Sequence, residues 1–314
     1  MMDIFYKYSG LMSIDFFNMP TIKISVPEQL NDPYESRPSE NIRKAIEYSN
    51  DNIYVDNIES SIRNMIITNG IISLSETQRN SLMWAHYAQH HKGMCIGFEK
   101  NFLKDTAPPL TGVEKMFSSY CMSILEPIKM NYDNYRFDIS KPIAKNNAVL
   151  ECFLRHFFTK SDEWIYEKEH RSILSYLQAT HALVTDPNNT RTINLEHDSY
   201  TVKLSSYIKK HLDSGYLIET KYKNIYEFSK NMASIIEMSN LSGFSGISFL
   251  KKVEPQSIKE IYFGCRADKK EVEKIYNLLQ SENHPLNHVK LYSFEISGKR
   301  FEMHAKEISS NSFN

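Results

Sequence analysis

Four short runs of this 314-residue chain hold residue types that can do chemistry together. The densest is Trp164-Ile165-Tyr166-Glu167-Lys168-Glu169-His170-Arg171. On a strand, side chains alternate, so Glu167, Glu169 and Arg171 share one face, with the two carboxylates about 7 Å apart. One carboxylate beside a guanidinium can stabilise developing positive charge, and its neighbour can take a proton. The plainer alternative is an exposed edge strand decorated with charges. A second run, Trp84 to Phe98, starts on a helix where Trp84, Tyr87, Ala88 and His91 lie on one face at i, i+3, i+4 and i+7. It offers a stacking surface with a polar tip. His86 and His90 have the i, i+4 spacing of zinc ligands, but the glutamate of H-E-x-x-H is missing, so no metal centre is expected. Asn31-Asp32-Pro33-Tyr34-Glu35 has the chemistry of an ordered turn, because Asn and Asp bond nearby backbone and Pro fixes φ. Phe5-Tyr6-Lys7-Tyr8 sets a cation between aromatics, with Lys7 facing away from Tyr6 and Tyr8.

Regular elements must carry these runs. Ile4–Tyr8 and Thr21–Val26 read as strands, and apolar spacing from Pro38 to about Asn69 as helical. Ile71–Ser75 is a buried strand ending in hydroxyls. Ser81–Gln89 is a helix stopped by Gly93, before the apolar strand Met94–Phe98. Residues 104–126 are loop-rich, and Ile128–Tyr132 is a further strand. Ala144–Lys160 is a helix and Trp164–Leu174 a strand. Helical patterns occur around Tyr200–Leu212 and Ile225–Met238, so 176–255 reads as a helical insertion. The tail supplies strand Ile258–Gly264, helix Asp268–Leu279 and strand Val289–Ile296. Strands and helices mix without regular alternation, which argues for one α+β domain over residues 1–314.

Composition excludes several classes. Apolar residues are 41% and charged residues 24%, an ordinary globular balance. The net charge of −1 gives no basic footprint, so no nucleic-acid partner is expected. No apolar run approaches the roughly 18 residues needed to span a membrane, and the amino terminus lacks a secretory pattern, so a soluble protein is expected. Cys95, Cys121, Cys152 and Cys265 form no C-x-x-C pair, which fits a reducing compartment.

The ordered set Tyr6-Lys7-Tyr8, Asn31-Asp32-Pro33-Tyr34-Glu35, Trp84-Ala85-His86-Tyr87 with Lys92-Gly93-Met94-Cys95-Ile96-Gly97-Phe98, Tyr166-Glu167-Lys168-Glu169-His170-Arg171 and Ile261-Tyr262-Phe263-Gly264 resembles a widespread bacterial family of unknown function. That family is marked by an N-D-P-F-E turn, a W-x-H-Y helix and an E-K-E-x-R strand. The resemblance runs from about residue 4 to 295, and 176–255 carries none of it. The order is also similar to the Arg, Ser-Thr-Ser, Glu-x-Glu pattern of ADP-ribosyltransferases, with Lys7 in place of the arginine and Ser73-Leu74-Ser75 as the middle motif. This second resemblance implies a split, mixed β-sheet core and NAD as co-substrate. It implies Glu169 as the carboxylate that stabilises an oxocarbenium-like state and Glu167 as the group that activates the acceptor. Lys7 would pair with the diphosphate, Ser73 or Ser75 would hold the ribose, and Trp84 or Tyr87 would stack nicotinamide. Tyr8, Asn31, Asp32, His86 and Arg171 complete the expected NAD site.

Three functions follow as expectations. The first is an ADP-ribosyltransferase acting on a protein or other macromolecular acceptor, as an effector, toxin or defence enzyme. It would be cytoplasmic, or delivered into another cell's cytosol by a non-classical route. The second is a ligand-sensing or interaction module, in which Glu167, Glu169 and Arg171 form a structural network with Asp32 and Glu35. The third is a hydrolase or nuclease using His86 and the carboxylates, for which neither a metal set nor a basic groove is evident in the sequence.

Overall fold

The computed structural model describes residues 3–48, 55–104, 120–141, 143, 148–194, 199–229 and 235–313. Its strands, in chain order, are β1 Ile4–Ser9, β2 Thr21–Ile24, β3 Asn69–Ser75, β4 Met94–Glu99, β5 Ser123–Lys129, β6 Asn131–Tyr132, β7 Thr159–Lys160 and β8 Glu169–Ser175. They continue as β9 His181–Val184, β10 Thr190–Asn194, β11 Ser199–Lys203, β12 Leu217–Glu219, β13 Ile225–Phe228, β14 Ile247–Lys252, β15 Ile258–Phe263, β16 Lys290–Ile296 and β17 Met303–Glu307. Eight form one sheet in the order β17-β16-β15-β4-β1-β3-β8-β5, and five form a second, β12-β13-β9-β14-β2. The architecture is mixed α and β. Neighbours in the large sheet are antiparallel except β15 and β16, which run parallel because helix Lys269–Leu279 carries the chain between them.

The apolar pattern explains the layers. Phe5, Ile96, Phe98, Ile261 and Phe263 of the large sheet and Ile22, Ile24, Phe249 and Ala182 of the small one share a core. Helices Asn41–Tyr48, Val55–Thr68 and Ala148–Phe157 bury Ile42, Ile62, Met65, Cys152 and Phe153 against Ile71 and Ile173. The strand pair β1–β3 matters most for the site. The two strands are paired at Tyr6↔Ser75, and β3 then bridges to the β2 end through Ser25↔Ile71. Where β3 leaves β1, a cleft opens.

Two sequence expectations are corrected. Segment 176–255 is not mainly helical: it supplies β9 to β14 alongside helices Leu204–Asp213 and Ile235–Ser242. The pattern read as one helix over Tyr200–Leu212 begins as strand β11, and that read over Ile225–Met238 begins as strand β13; residues 230–234 lie outside the described set. The strand expected over Trp164–Leu174 begins only at Glu169. Asp162–Glu167 is a 3₁₀ helix, because the Ser161 hydroxyl accepts the Glu163 N–H at 3.4 Å and Asp162 and Glu163 sit in its first turn. Of the loop expected over 104–126, residues 105–119 lie outside the described set, and β5 begins at Ser123.

Candidate functional site

Lys168 separates the 3₁₀ helix from β8 in the left-handed conformation, at φ 47° and ψ 48°. That backbone costs a non-glycine residue about 1–2 kcal/mol. Three consecutive carbonyls at this corner are held by the end of β3 and the segment that follows it. Asn80 Nδ2 donates to Tyr166 O, Ser75 Oγ to Glu167 O at 2.7 Å, and the Glu76 N–H to Lys168 O at 3.2 Å. The corner turns both acidic side chains onto one cation. Lys160 Nζ donates to Glu167 Oε2 at 2.6 Å and to Glu169 Oε2 at 3.2 Å, and lies 4.6 Å from the centre of the Trp164 ring. Glu167 and Glu169 thus converge through a left-handed corner, and not through shared strand pleating as the sequence suggested.

Arg171 is fully buried and uses all five of its N–H donors. Nε donates to Glu169 Oε1 at 2.8 Å. Nη1 donates to Glu35 Oε2 and to Phe157 O, both at 2.8 Å. Nη2 donates to Glu35 Oε1 and, at 3.2 Å, to Glu169 Oε2. The expectation that Arg171 binds a cofactor is corrected, since no donor remains for a phosphate. Its role is to fix Glu169 and the 31–35 turn relative to each other. Burial alone would raise the Glu169 carboxyl, but Arg171 and Lys160 outweigh it and hold it down at about 2. The Ser73 side chain adds a further bond to Glu169. Stability from this group is present above the unfolded carboxylate value and is lost as pH falls toward about 2. Acid titration followed by tryptophan fluorescence should therefore show Glu169→Gln losing less stability than wild type between about pH 4.5 and 2.

Glu167 has the opposite setting. Burial raises its carboxyl, ahead of the opposing pull of Lys160 and despite a bond from the Tyr87 hydroxyl to Oε1. Asn31 in turn bonds the Tyr87 hydroxyl. Lys7 stands across the cleft. Its Nζ donates to Ser73 O at 2.9 Å, a carbonyl left open where β3 parts from β1. Burial lowers the Lys7 ammonium to about 8, with Glu169 opposing and Lys23 reinforcing the fall. Among the described residues Lys7 forms no ion pair within 4 Å. The cavity between these groups measures about 220 Å³, and Lys7, Asp32, Ser73, Ser75, Tyr87, Lys160, Glu167, Glu169 and Arg171 all reach its wall.

Residues 83–172 match the model of DUF2971, a protein family of unknown function. The matched span carries Tyr87, Lys160, Glu167, Glu169 and Arg171, while Lys7, Asn31, Asp32, Glu35, Ser73 and Ser75 precede it. No curated protein and no solved structure matches the chain.

The structure separates the remaining expected site residues. Tyr8 borders the cavity, but its hydroxyl donates to Thr77 O at 2.8 Å within the Trp84 cluster. Asp32 Oδ1 accepts the Tyr34 N–H at 2.9 Å and shapes the turn. Trp84 is corrected from stacking surface to core. It is fully buried, donates Nε1–H to Gln78 O at 2.7 Å, and packs edge-on against Tyr8 and Phe294. His86 is exposed and lies beside Tyr166, outside the cavity wall. Trp84→Ala should cost about 3–5 kcal/mol, read by chemical denaturation, through lost packing. Sequence reasoning missed Lys160 and Tyr132, whose hydroxyl accepts the Glu169 N–H at 2.7 Å. Lys160 follows an ordinary helix, and nothing in its neighbours' types marks it as the cation shared by two carboxylates.

Proposed function

We propose that this cavity transfers ADP-ribose from NAD to a macromolecular acceptor. The reading rests on one observation: Lys7, Ser73 and Glu169 come from the neighbouring strands β1, β3 and β8 and meet Glu167 around one cavity. The order and adjacency suit the split-sheet ADP-ribosyltransferase pattern. In the reaction the bond between ribose C1′ and nicotinamide nitrogen breaks, and nicotinamide leaves with the electron pair. The ribose passes through an oxocarbenium-like state. Ionised Glu169 acts on that cation through its field, because its oxygens are already committed to Arg171 and Lys160. Glu167 takes the acceptor's proton as the acceptor atom bonds C1′. Two carboxylates driven in opposite directions by their surroundings suit this division of labour. Lys7, with Lys23 behind it, provides positive charge for the diphosphate. A cavity of about 220 Å³ is smaller than the roughly 300–1,000 Å³ typical of ligand sites, so it suits the nicotinamide ribose end with the rest of the dinucleotide outside.

The test is incubation with NAD labelled in its adenosine, with and without cell lysate. Covalent label on lysate macromolecules, removed by protease, supports transfer to protein. No label and no nicotinamide release would remove the enzyme reading. The profile should be bell-shaped. Activity rises as Glu167 ionises above its raised value and falls past about 8 as Lys7 loses its proton. A second reading, a ligand-sensing module, draws on the complete Arg171–Glu35–Glu169 network, which needs no ligand to satisfy it. Thermal stabilisation by NAD without turnover would favour it.

Lys7 also predicts a trade between stability and binding. With its value lowered to about 8, the unfolded chain holds more protons between about 8 and 10.4, so stability rises with pH across that window. Lys7→Met should flatten that rise and raise the melting temperature at pH 7 while weakening NAD affinity. Thermal melts at pH 7 and 10 check the first part, and calorimetric titration with NAD the second.

A further inference from the structure

A second cavity lies apart from the carboxylates, between the tip of the β16–β17 hairpin and the ends of helix Ser81–Tyr87 and β15. It measures about 840 Å³. Its wall brings together Arg79, Arg266, Lys299 and Arg300, residues spread over more than two hundred positions of chain. Among the described lining residues Glu302 is the sole carboxylate, 3.9 Å from Arg300 Nε and 3.6 Å from His304 Nε2. Arg79, Arg266 and Lys299 form no ion pair among the described residues. Four cations against one anion on a concave wall concentrate positive potential there, although the chain as a whole carries −1.

Two further features are independent of charge. Phe301 stands at the hairpin tip with 114% relative exposure, beside these cations, and is in no hydrophobic cluster of the described residues. An aromatic so placed loses its apolar surface to water unless a planar group covers it. His91 reaches the same wall through strained backbone. Gln89, His90 and His91 are all left-handed, at φ 48°, 56° and 69°, conformations that cost non-glycine residues about 1–3 kcal/mol each. The turn is held by the His91 N–H to Trp84 O at 3.1 Å, the Arg266 N–H to His91 O at 3.0 Å and the Gly93 N–H to Ala88 O at 2.8 Å. It leaves His91 Nδ1 buried with no hydrogen-bond partner among the described residues.

We infer that this groove binds single-stranded nucleic acid. Arg79, Arg266, Lys299 and Arg300 take the phosphodiester backbone, and Phe301 stacks on a base. A positive groove with an exposed aromatic suits single strands, because every base has a stacking face while duplex bases are already stacked. A phosphoserine or phosphothreonine peptide would use the arginines but brings no planar group beside each phosphate for Phe301, as a nucleotide does. The inference does not depend on the NAD reading, since binding is measured without NAD. It departs from the expectation of no nucleic-acid partner, which rested on net charge alone.

The experiment is fluorescence anisotropy of the full chain with a labelled 12-nucleotide oligo(dT) or oligo(U). Binding should weaken roughly 20- to 50-fold between 50 and 200 mM salt if three or four phosphates are contacted. Phe301→Ala should weaken it about fivefold or more. Arg79→Ala with Arg266→Ala should weaken it further and flatten the salt dependence. These positions are solvent-facing, and circular dichroism of each variant checks the fold. No binding at 50 mM salt, binding unaffected by Phe301→Ala, or displacement by a phosphorylated peptide at lower concentration than by unlabelled oligo(dT) would overturn the inference.

Discussion

If the proposed reaction holds, Glu167→Gln should lower ADP-ribose transfer by about 10²–10⁴, the usual worth of a positioned acid or base. The amide is nearly isosteric, and its oxygen still accepts the Tyr87 hydroxyl. Lys160 keeps Glu169 as a partner. The fold should hold, because burial already disfavours charge on Glu167. Melting temperature should stay within a few degrees of wild type, kcat should fall, and KM for NAD should change little, since in the proposed reaction the lost group would meet the acceptor and not the diphosphate. Lys7→Met should show the converse, with KM rising first. Equal losses of kcat and stability in Glu167→Gln would mean that the residue is structural.

Arg171→Met should carry a stability effect as large as that of Trp84→Ala. It leaves Glu35 and Glu169 buried without the fork that satisfies them, and strips the Phe157 carbonyl of its donor. Breaking one side of such a buried network costs about 3–5 kcal/mol. At roughly 2 °C per kcal/mol for a chain of this size, melting temperature falls by about 6–10 °C. Arg171→Lys keeps a charge but cannot span both carboxylates, so it recovers only part of the loss. The partner change Glu35→Gln in the Arg171→Met background should return some stability, because one uncompensated charge disappears. Differential scanning calorimetry of the three variants measures this. A melting temperature unchanged in Arg171→Met would contradict the network as drawn.

Local pattern made much of the large sheet legible. Strand pattern marked β1 and β16, apolar runs marked β3 and β4, and Asp268 before Val272, Ile275 and Leu279 marked the crossover helix, while period-2 alternation marked β2 of the smaller sheet. The site was legible in its residue types and not in its geometry. Alternation through Glu167-Lys168-Glu169 predicted a shared strand face, whereas the two carboxylates meet because Lys168 takes a left-handed turn held by Ser75, Glu76 and Asn80. A tertiary clamp of that kind leaves no period in the sequence. Trp84 looked like a stacking surface on its helix, yet that face is turned to the core by Tyr8 and Phe294, residues distant in sequence. The basic groove stayed hidden because charge counted over the whole chain averages out a cluster assembled from residues 79, 266, 299 and 300. Segment 176–255 misled through helix-like spacing in runs that open as strands, where cross-strand pairing decides the outcome.

The most direct measurement is a chromatographic time course of nicotinamide released from NAD by the wild-type chain and by Glu167→Gln, at pH 7.5 with lysate present. Steady release by wild type and almost none by the variant, at equal melting temperature, is the expected result. Equal rates from both proteins, or intact NAD after prolonged incubation with wild type, would contradict it.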